Sequence, residues 1–240
     1  MKIFYFVTIS LLLFSSCYKT IDSTSKVCTS GCTVIQGRVT TLNYQPVRDV
    51  TIKIRSVRHT SVASGITRNI AEGKSGPDGH YLLKFLLNEH ESGPQAHADV
   101  YLQYTYNEAV FTPLGARSRD VLLSSLGRVL FTDKEITLDR SIYLPLRAKA
   151  NIRLEGFYTS GSDYNSFLVT PSFRIGLYNS YLDGAYVIGA QTVPTNQVVD
   201  VAGNDTTRFR IEKWKSGQRT LIDTAIYTPL TQTANLVFTF

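Results

Sequence analysis

Alternation of apolar and polar residues is the feature that most limits how this chain can fold. From Val34 onward no stretch of 12 or more residues has helical apolar spacing, whereas apolar residues recur at every second position. The longest run keeps one parity from Ile142 to Leu154, and shorter runs surround Ile52 and Leu102. Because strand side chains point alternately to opposite faces, each run predicts a strand with one buried face. We therefore expect an all-β protein.

Turn signals separate these runs at short intervals. They stand at Gly76-Pro77-Asp78-Gly79, Gly203-Asn204-Asp205 and Ser216-Gly217. Short strands at this spacing are typical of β-sandwiches and barrels. The long run from Ser141 to Leu154 is expected to end one sheet and to begin the next, with a boundary near Arg147. The sequence thus predicts two tandem Ig-like or transthyretin-like β-sandwich domains, at 33–147 and 148–240, and a single large sandwich stays open.

The N-terminus resembles a bacterial export signal. Lys2 precedes an apolar run from Ile3 to Phe14, which is too short for the roughly 20 residues of a membrane-spanning helix. The following Ser15-Ser16-Cys17 resembles the lipobox of bacterial lipoproteins. That resemblance implies a signal peptide at 1–16 and diacylation of Cys17, which would attach the mature chain to a membrane. A plain signal peptide with an incidental cysteine is the alternative.

Residues 17–32 are polar and are expected to form a tether behind the lipid. Lys19 and Asp22 resemble the surface-export signal of Bacteroidota lipoproteins, so the location is expected at the outer membrane, with the periplasmic face and the cell surface both open. Cys28 and Cys32 flank three residues, and an oxidising envelope would favour a disulfide between them. Free thiols are the alternative.

Motifs in residues 33–147 resemble a known module. They are Gly37-Arg38-Val39, the stretch from Gln45 to Ile52, and the stretch from Asp78 to Leu83. The pattern resembles the carboxypeptidase-regulatory-like, transthyretin-related sandwich of Bacteroidota envelope proteins. Asp78-Gly79 is expected to close a tight hairpin before Tyr81, whose ring is expected to be buried with its hydroxyl hydrogen-bonded. Residues 199–240 resemble the C-terminal part of other small Bacteroidota lipoproteins.

The charge distribution gives no indication of a nucleic-acid partner. The net charge is +6, and it is spread as +2 over residues 1–32, +3 over 33–147 and +1 over 148–240. Most Lys and Arg residues alternate with apolar residues along strands, as on a solvated sheet face. We therefore expect no nucleic acid among the partners.

Few residues suggest site chemistry. The chain has no Gly-x-Ser-x-Gly elbow, no His-Glu-x-x-His motif and no phosphate-cradling glycine loop, so no catalytic residue and no cofactor are expected. Glu89-His90-Glu91, followed by His97 and Asp99, is a weak candidate for a metal site. Trp214, beside the Ser216-Gly217 turn, is a weak candidate for ligand contact, and a structural role for its indole is the alternative.

These features favour a non-enzymatic cell-envelope lipoprotein that binds or scaffolds at the outer membrane. The membrane, through the N-terminal lipid, is its expected partner, together with an envelope protein or a glycan. Exposed sheet edges can accept a partner strand. The alternatives are a fimbrillin-like adhesin or pilus subunit, a carbohydrate-binding accessory protein of a glycan-uptake system, and a hydrolase whose site the motifs do not reveal.

Overall fold

The fold is built of strands. The computed structural model describes residues 18–21, 28–61, 64–92, 97–113, 120–122, 135–156, 166–177, 181–183, 188–189 and 195–240. The strands are β1 Tyr18–Ile21, β2 Thr33–Thr40, β3 Thr51–Ser61, β4 Ser64–Lys74, β5 His80–Phe85, β6 Ala98–Thr105, β7 Asp120–Leu122, β8 Thr137–Asp139, β9 Ile142–Tyr143, β10 Leu146–Glu155, β11 Ser166–Arg174, β12 Gly176–Leu177, β13 Tyr181–Asp183, β14 Ile188–Gly189, β15 Thr195–Gly203, β16 Asp205–Lys215, β17 Gln218–Thr228 and β18 Ala234–Thr239. A single 3-10 turn, Leu42–Tyr44, is the helical element of these ranges. Within them no helix is long and apolar enough to cross a membrane. The all-β prediction is confirmed.

Two sheets form the N-terminal sandwich. One has the strand order β1-β4-β3-β6-β7, and the other has β12-β9-β2-β5 with β8 beside β2. The apolar residues at every second position of β3, β5 and β6 face the space between the two sheets. Ile54, Phe85 and Leu102 are fully buried there. Burial of such side chains is the main force that holds the two sheets together, at about 1.5–3 kcal/mol for each.

A third sheet folds over to form the C-terminal sandwich. Its order is β13-β11-β16-β17-β15-β10-β18, with β14 also beside β11. A single residue pair, Gly203 with Thr228, joins β15 to β17. The strands on either side of this pair therefore form two layers, and both contribute to a second core that includes Ile152, Phe167 and Phe209.

Elements near the predicted boundary connect the two sandwiches. As the sequence predicts, the run from Ser141 to Leu154 ends one sheet with β9, which pairs with β2, and begins another with β10. Beyond the prediction, β11 continues into β12, which pairs with β9 of the N-terminal sandwich. Phe173 and Ile175, at this crossing, are buried in the N-terminal core. Residues C-terminal to the predicted boundary thus help to build the N-terminal core.

Polar contacts also tie the sandwiches together. The single hydrogen of the buried Thr112 hydroxyl is shared between the carbonyl oxygens of Leu146 and Val201, which lie 2.9 and 3.1 Å from Oγ1. Tyr143 donates its hydroxyl to Asp205 Oδ2 at 2.9 Å, and burial, followed by the effect of Asp205, raises the pKa of this tyrosine to about 12. These contacts fix the relative position of β9, β10 and the start of β16.

The turn at Gly76–Gly79 differs from the prediction. It connects β4 and β5, which lie in different sheets, so it passes from one layer to the other and does not close a hairpin. Gly79 has φ of +78°, and a Cβ there would stand 2.4 Å from the Val39 carbonyl oxygen, so only glycine fits. The expectation for Tyr81 is confirmed, because its ring is 5% exposed and its hydroxyl donates to the Arg140 carbonyl.

Candidate binding surface

The predicted cysteine residues fall in two regions. Cys17 lies outside the described residues, so its lipidation stays a prediction. Cys28 and Cys32 are joined by a disulfide bond, with their Cα atoms 5.8 Å apart. The resulting small ring ends one residue before β2 and fixes the point at which the chain enters the N-terminal sandwich.

The weak metal candidates do not gather into a metal-binding group. His90 and His97 are neighbours, with ring centroids 4.6 Å apart, and Asp99 follows on β6. Among the residues that the structure describes, no three His, Cys, Asp or Glu side chains are arranged to hold an ion. Glu91, which the sequence groups with His90, is instead buried in an ion pair with Arg68 and accepts a hydrogen bond from Ser56.

Trp214 lies on the outer face of the C-terminal sandwich. Thr207, Phe209 and Ile211 point into the core, so the alternate residues of β16, which are Arg208, Arg210, Glu212 and Trp214, point away from it. The half-buried indole donates its Nε1 hydrogen to Glu212 Oε1 at 2.6 Å. The contacts therefore hold the ring in one orientation at the surface.

Glu212 connects this tryptophan to the neighbouring strand. Arg219 of β17 donates to both carboxylate oxygens of Glu212, each at 3.0 Å. Its guanidinium carbon lies 5.8 Å from the centroid of the Trp214 ring, within cation–π range. The hydrogen bonds from Arg219 and then from Trp214 lower the pKa of Glu212, so the carboxylate stays charged.

Next to this cluster the same face forms a groove. Its volume is about 530 Å³, which falls in the range of small-molecule sites. Strand register explains it, because Thr170 of β11, Arg210 of β16 and Asp223 of β17 lie in one row across the sheet. Arg210 Nε contacts Asp223 Oδ1 at 3.1 Å. The residues that line this outer-face groove are Thr170, Ser172, Arg208, Arg210, Asp223, Thr224 and Ala225.

Sequence reasoning singled out Trp214, whose role in ligand contact stays a prediction, and it missed the groove on the same sheet face. The alternation of Arg208 and Arg210 with Phe209 predicts that both arginines face solvent. It does not predict that Thr170 and Ser172 lie beside them, because those residues come from β11, which is far from β16 in the chain. Asp223, in contrast, lies opposite Arg210 in the β16–β17 hairpin. The arrangement offers two guanidinium groups, a carboxylate, hydroxyl groups and an aromatic ring on one sheet face.

Comparisons with known proteins find only distant structural similarity. No protein-family model matches the chain, and no curated protein matches it. Among solved structures it is similar to the Bacillus anthracis TIE protein, at 4% identity and a TM-score of 0.32, over 87% of this chain and 33% of that one. It is similar to a streptococcal ancillary pilin at 7% identity and a TM-score of 0.30, over 88% of this chain and 63% of that one. It is similar to shaft pilin SpaA from Lactobacillus rhamnosus GG at 10% identity and a TM-score of 0.29, over 87% of this chain and 97% of that one.

Proposed function

We propose that this chain is a non-enzymatic binding module, attached to the outer membrane through a lipid on Cys17. The observation that carries the proposal is the outer face of the C-terminal sandwich, where the outer-face groove and Trp214 lie on the same sheet face, with Glu212 between Arg210 and Trp214 along β16. Such a face offers a polar ligand both hydrogen-bonding groups and an aromatic surface. The N-terminal sandwich then serves as a rigid spacer between the tether and this face.

The chemistry of the groove suits holding a ligand better than transforming one. The guanidinium groups of Arg208 and Arg210 each present several N–H donors in a fixed planar geometry and no acceptor, which suits them to bind acceptor groups of a ligand. Asp223 is engaged by Arg210. Thr170 and Ser172 add hydroxyl groups that both donate and accept. The groove therefore provides recognition through several directed hydrogen bonds.

A glycan is the ligand class that this face favours. Sugars carry many hydroxyl groups and flat apolar ring faces, and Trp214 combines a large apolar ring with a contact that fixes its orientation. The lining has one more positive than negative side chain, since Arg208 and Arg210 outnumber Asp223. An acidic sugar, such as one that carries a carboxylate, fits this balance best.

We expect Trp214→Ala to weaken glycan binding at least tenfold, because buried tryptophan contacts commonly supply more than about 1.4 kcal/mol of binding free energy. The full chain would be tested on an array of neutral and acidic bacterial and host glycans, and each hit would be titrated in solution. Tyr44→Ala, which removes an 80% exposed aromatic residue from the N-terminal sandwich, serves as the matched control and is expected to change nothing. Equal loss for both variants, or no binding to any glycan, would contradict the glycan proposal.

The anchoring part of the proposal has its own test. We expect the wild-type chain to sediment with the membranes of the source cells and Cys17→Ala to move it to the soluble fraction, because only the cysteine thiol can accept the lipid. Mass spectrometry of the N-terminal peptide would show the diacylglycerol on Cys17. A Cys17→Ala chain that stays membrane-bound would disprove anchoring through this residue.

A further inference from the structure

Strand β17 has one edge that is nearly uncovered. Its 11 residues pair with β16 over their whole length, whereas β15 meets the opposite edge only at Thr228. No other strand in the described part of the chain pairs with that edge. Most strands are about 5–6 residues long, so β17, with 11 residues, is unusually long. A long open edge accepts further strands readily. The stretch also lacks the proline residues that often block such edges.

The hairpin turn fixes which backbone groups face the open edge. Ser216 and Gly217 both have positive φ, at 49° and 77°, as a two-residue type I′ turn requires. In such a hairpin the closing pair, here Lys215 with Gln218, is hydrogen-bonded within the hairpin. The backbone N–H and C=O groups of alternate residues of β17 then point away from β16, toward the open edge. The residues that carry these groups are Arg219, Leu221, Asp223, Ala225 and Tyr227.

The charges on this edge are complementary to those of a second copy of the same strand. When two identical antiparallel strands pair about a two-fold axis, one residue must lie opposite itself. With Leu221 at the axis, Arg219 of each copy lies opposite Asp223 of the other. With Asp223 at the axis, two carboxylates oppose each other, which is unfavourable. With Ile222 at the axis, Leu221 lies opposite Asp223, so no charge is matched.

We propose that two copies of this chain pair antiparallel through the open edge of β17, with Leu221 at the two-fold axis. In this register the sheet that contains β17 in one copy continues into the same sheet of the second copy. It extends the Arg210–Asp223 ion pair into a chain of alternating charges, because Asp223 lies opposite Arg219 of the second copy, which forms an ion pair with Glu212 of that copy. It also covers Leu221 and Ile222, which are 47% and 42% exposed in the single chain. Because the same edge is used by both copies, the assembly closes as a dimer.

Charge reversal tests the register directly. Sedimentation velocity of the full chain, in excess mild detergent and without any glycan, is expected to show a dimer. Arg219→Asp and Asp223→Arg each place like charges opposite each other twice, so each variant alone is expected to dimerise at least tenfold more weakly. An equimolar mixture of the two variants restores both opposite-charge pairs, and we expect it to form a heterodimer with an affinity near that of the wild type.

Cross-linking provides a second measurement that does not depend on charge. In this register the two Leu221 Cα atoms lie about 5.5 Å apart, within disulfide range. Leu221→Cys is expected to give a covalent dimer on mild oxidation above the wild-type background, whereas Val198→Cys, at a 58% exposed position on β15, is not. A monomeric wild-type chain, a mixture that does not pair, equal cross-linking of both variants, or an SDS-resistant ladder of longer assemblies would each overturn the proposal. The dimer does not rest on what the outer-face groove binds.

Discussion

Replacing Phe173 by alanine should lower the free energy of unfolding by about 3–5 kcal/mol, a typical loss for a fully buried phenylalanine. Phe173 is 1% exposed and lies in the N-terminal core, although β11, which carries it, belongs to the sheet of the C-terminal sandwich. The cavity should therefore destabilise both sandwiches together. Urea denaturation should show one transition at a lower midpoint, whether it is followed by circular dichroism or by the fluorescence of Trp214, the single tryptophan.

Leu82→Ala is the matched control for this prediction. Leu82 is 54% exposed on β5, so its truncation should change the free energy of unfolding by less than about 1 kcal/mol. Two separate transitions in the wild type, with the Trp214 signal unaffected by Phe173→Ala, would show that the sandwiches unfold independently. That result would contradict the structural role that the β11–β12 crossing gives to Phe173.

The alternation of apolar and polar residues predicted those strands that bury only one face. The runs around Ile52 and Leu102 form β3 and β6, and the turn signal at Ser216-Gly217 joins β16 to β17 in a hairpin. The physical reason is simple, since a strand with one buried face must repeat its apolar residues every second position. The same rule identifies which arginines of β16 face solvent.

Partners that lie far apart in the chain could not be predicted in this way. Parallel pairing of β10 with β18 joins Ala150 to Ala234, and nothing in either local pattern specifies that partner. The Gly76–Gly79 turn was predicted to close a hairpin, because its residues suit a reversal of direction. A reversal within one sheet and a passage between two sheets use the same turn residues, and only the packing of β4 and β5 distinguishes them.

The candidate site has the same limitation. Trp214 was singled out from its residue type and its place beside a turn. The outer-face groove also requires Thr170 of β11 opposite Arg210, and no local pattern specifies that pairing. Glu91 was grouped with His90 because they are adjacent in sequence. Its actual partner, Arg68, lies 23 residues away, and no local pattern pairs them.

Glu91→Ala should destabilise the chain by about 3 kcal/mol or more, because it leaves the largely buried Arg68 guanidinium without its counter-charge. The Glu91 and Arg68 side chains are 4% and 14% exposed, and Arg68 Nε donates to Glu91 Oε1 at 2.9 Å. The same carboxylate accepts hydrogen bonds from the hydroxyl group of Ser56 on β3 and from the backbone N–H of Asn88. Removing it therefore disconnects the loop after β5 from both β3 and β4. Thermal and urea denaturation of the full chain measure the loss.

Two further variants separate the ion pair from a general effect of mutating this loop. Glu89→Ala removes an exposed carboxylate two residues away and is expected to change stability by less than about 0.5 kcal/mol. The double variant Arg68→Met/Glu91→Met removes both charges together, and it should recover most of the stability that Glu91→Ala loses, since no unpaired buried charge remains. If Glu91→Ala and Glu89→Ala behaved alike, the Arg68–Glu91 pair would not be what holds this loop against the sheet. A double variant as unstable as Glu91→Ala would instead assign the loss to the hydrogen bonds from Ser56 and Asn88.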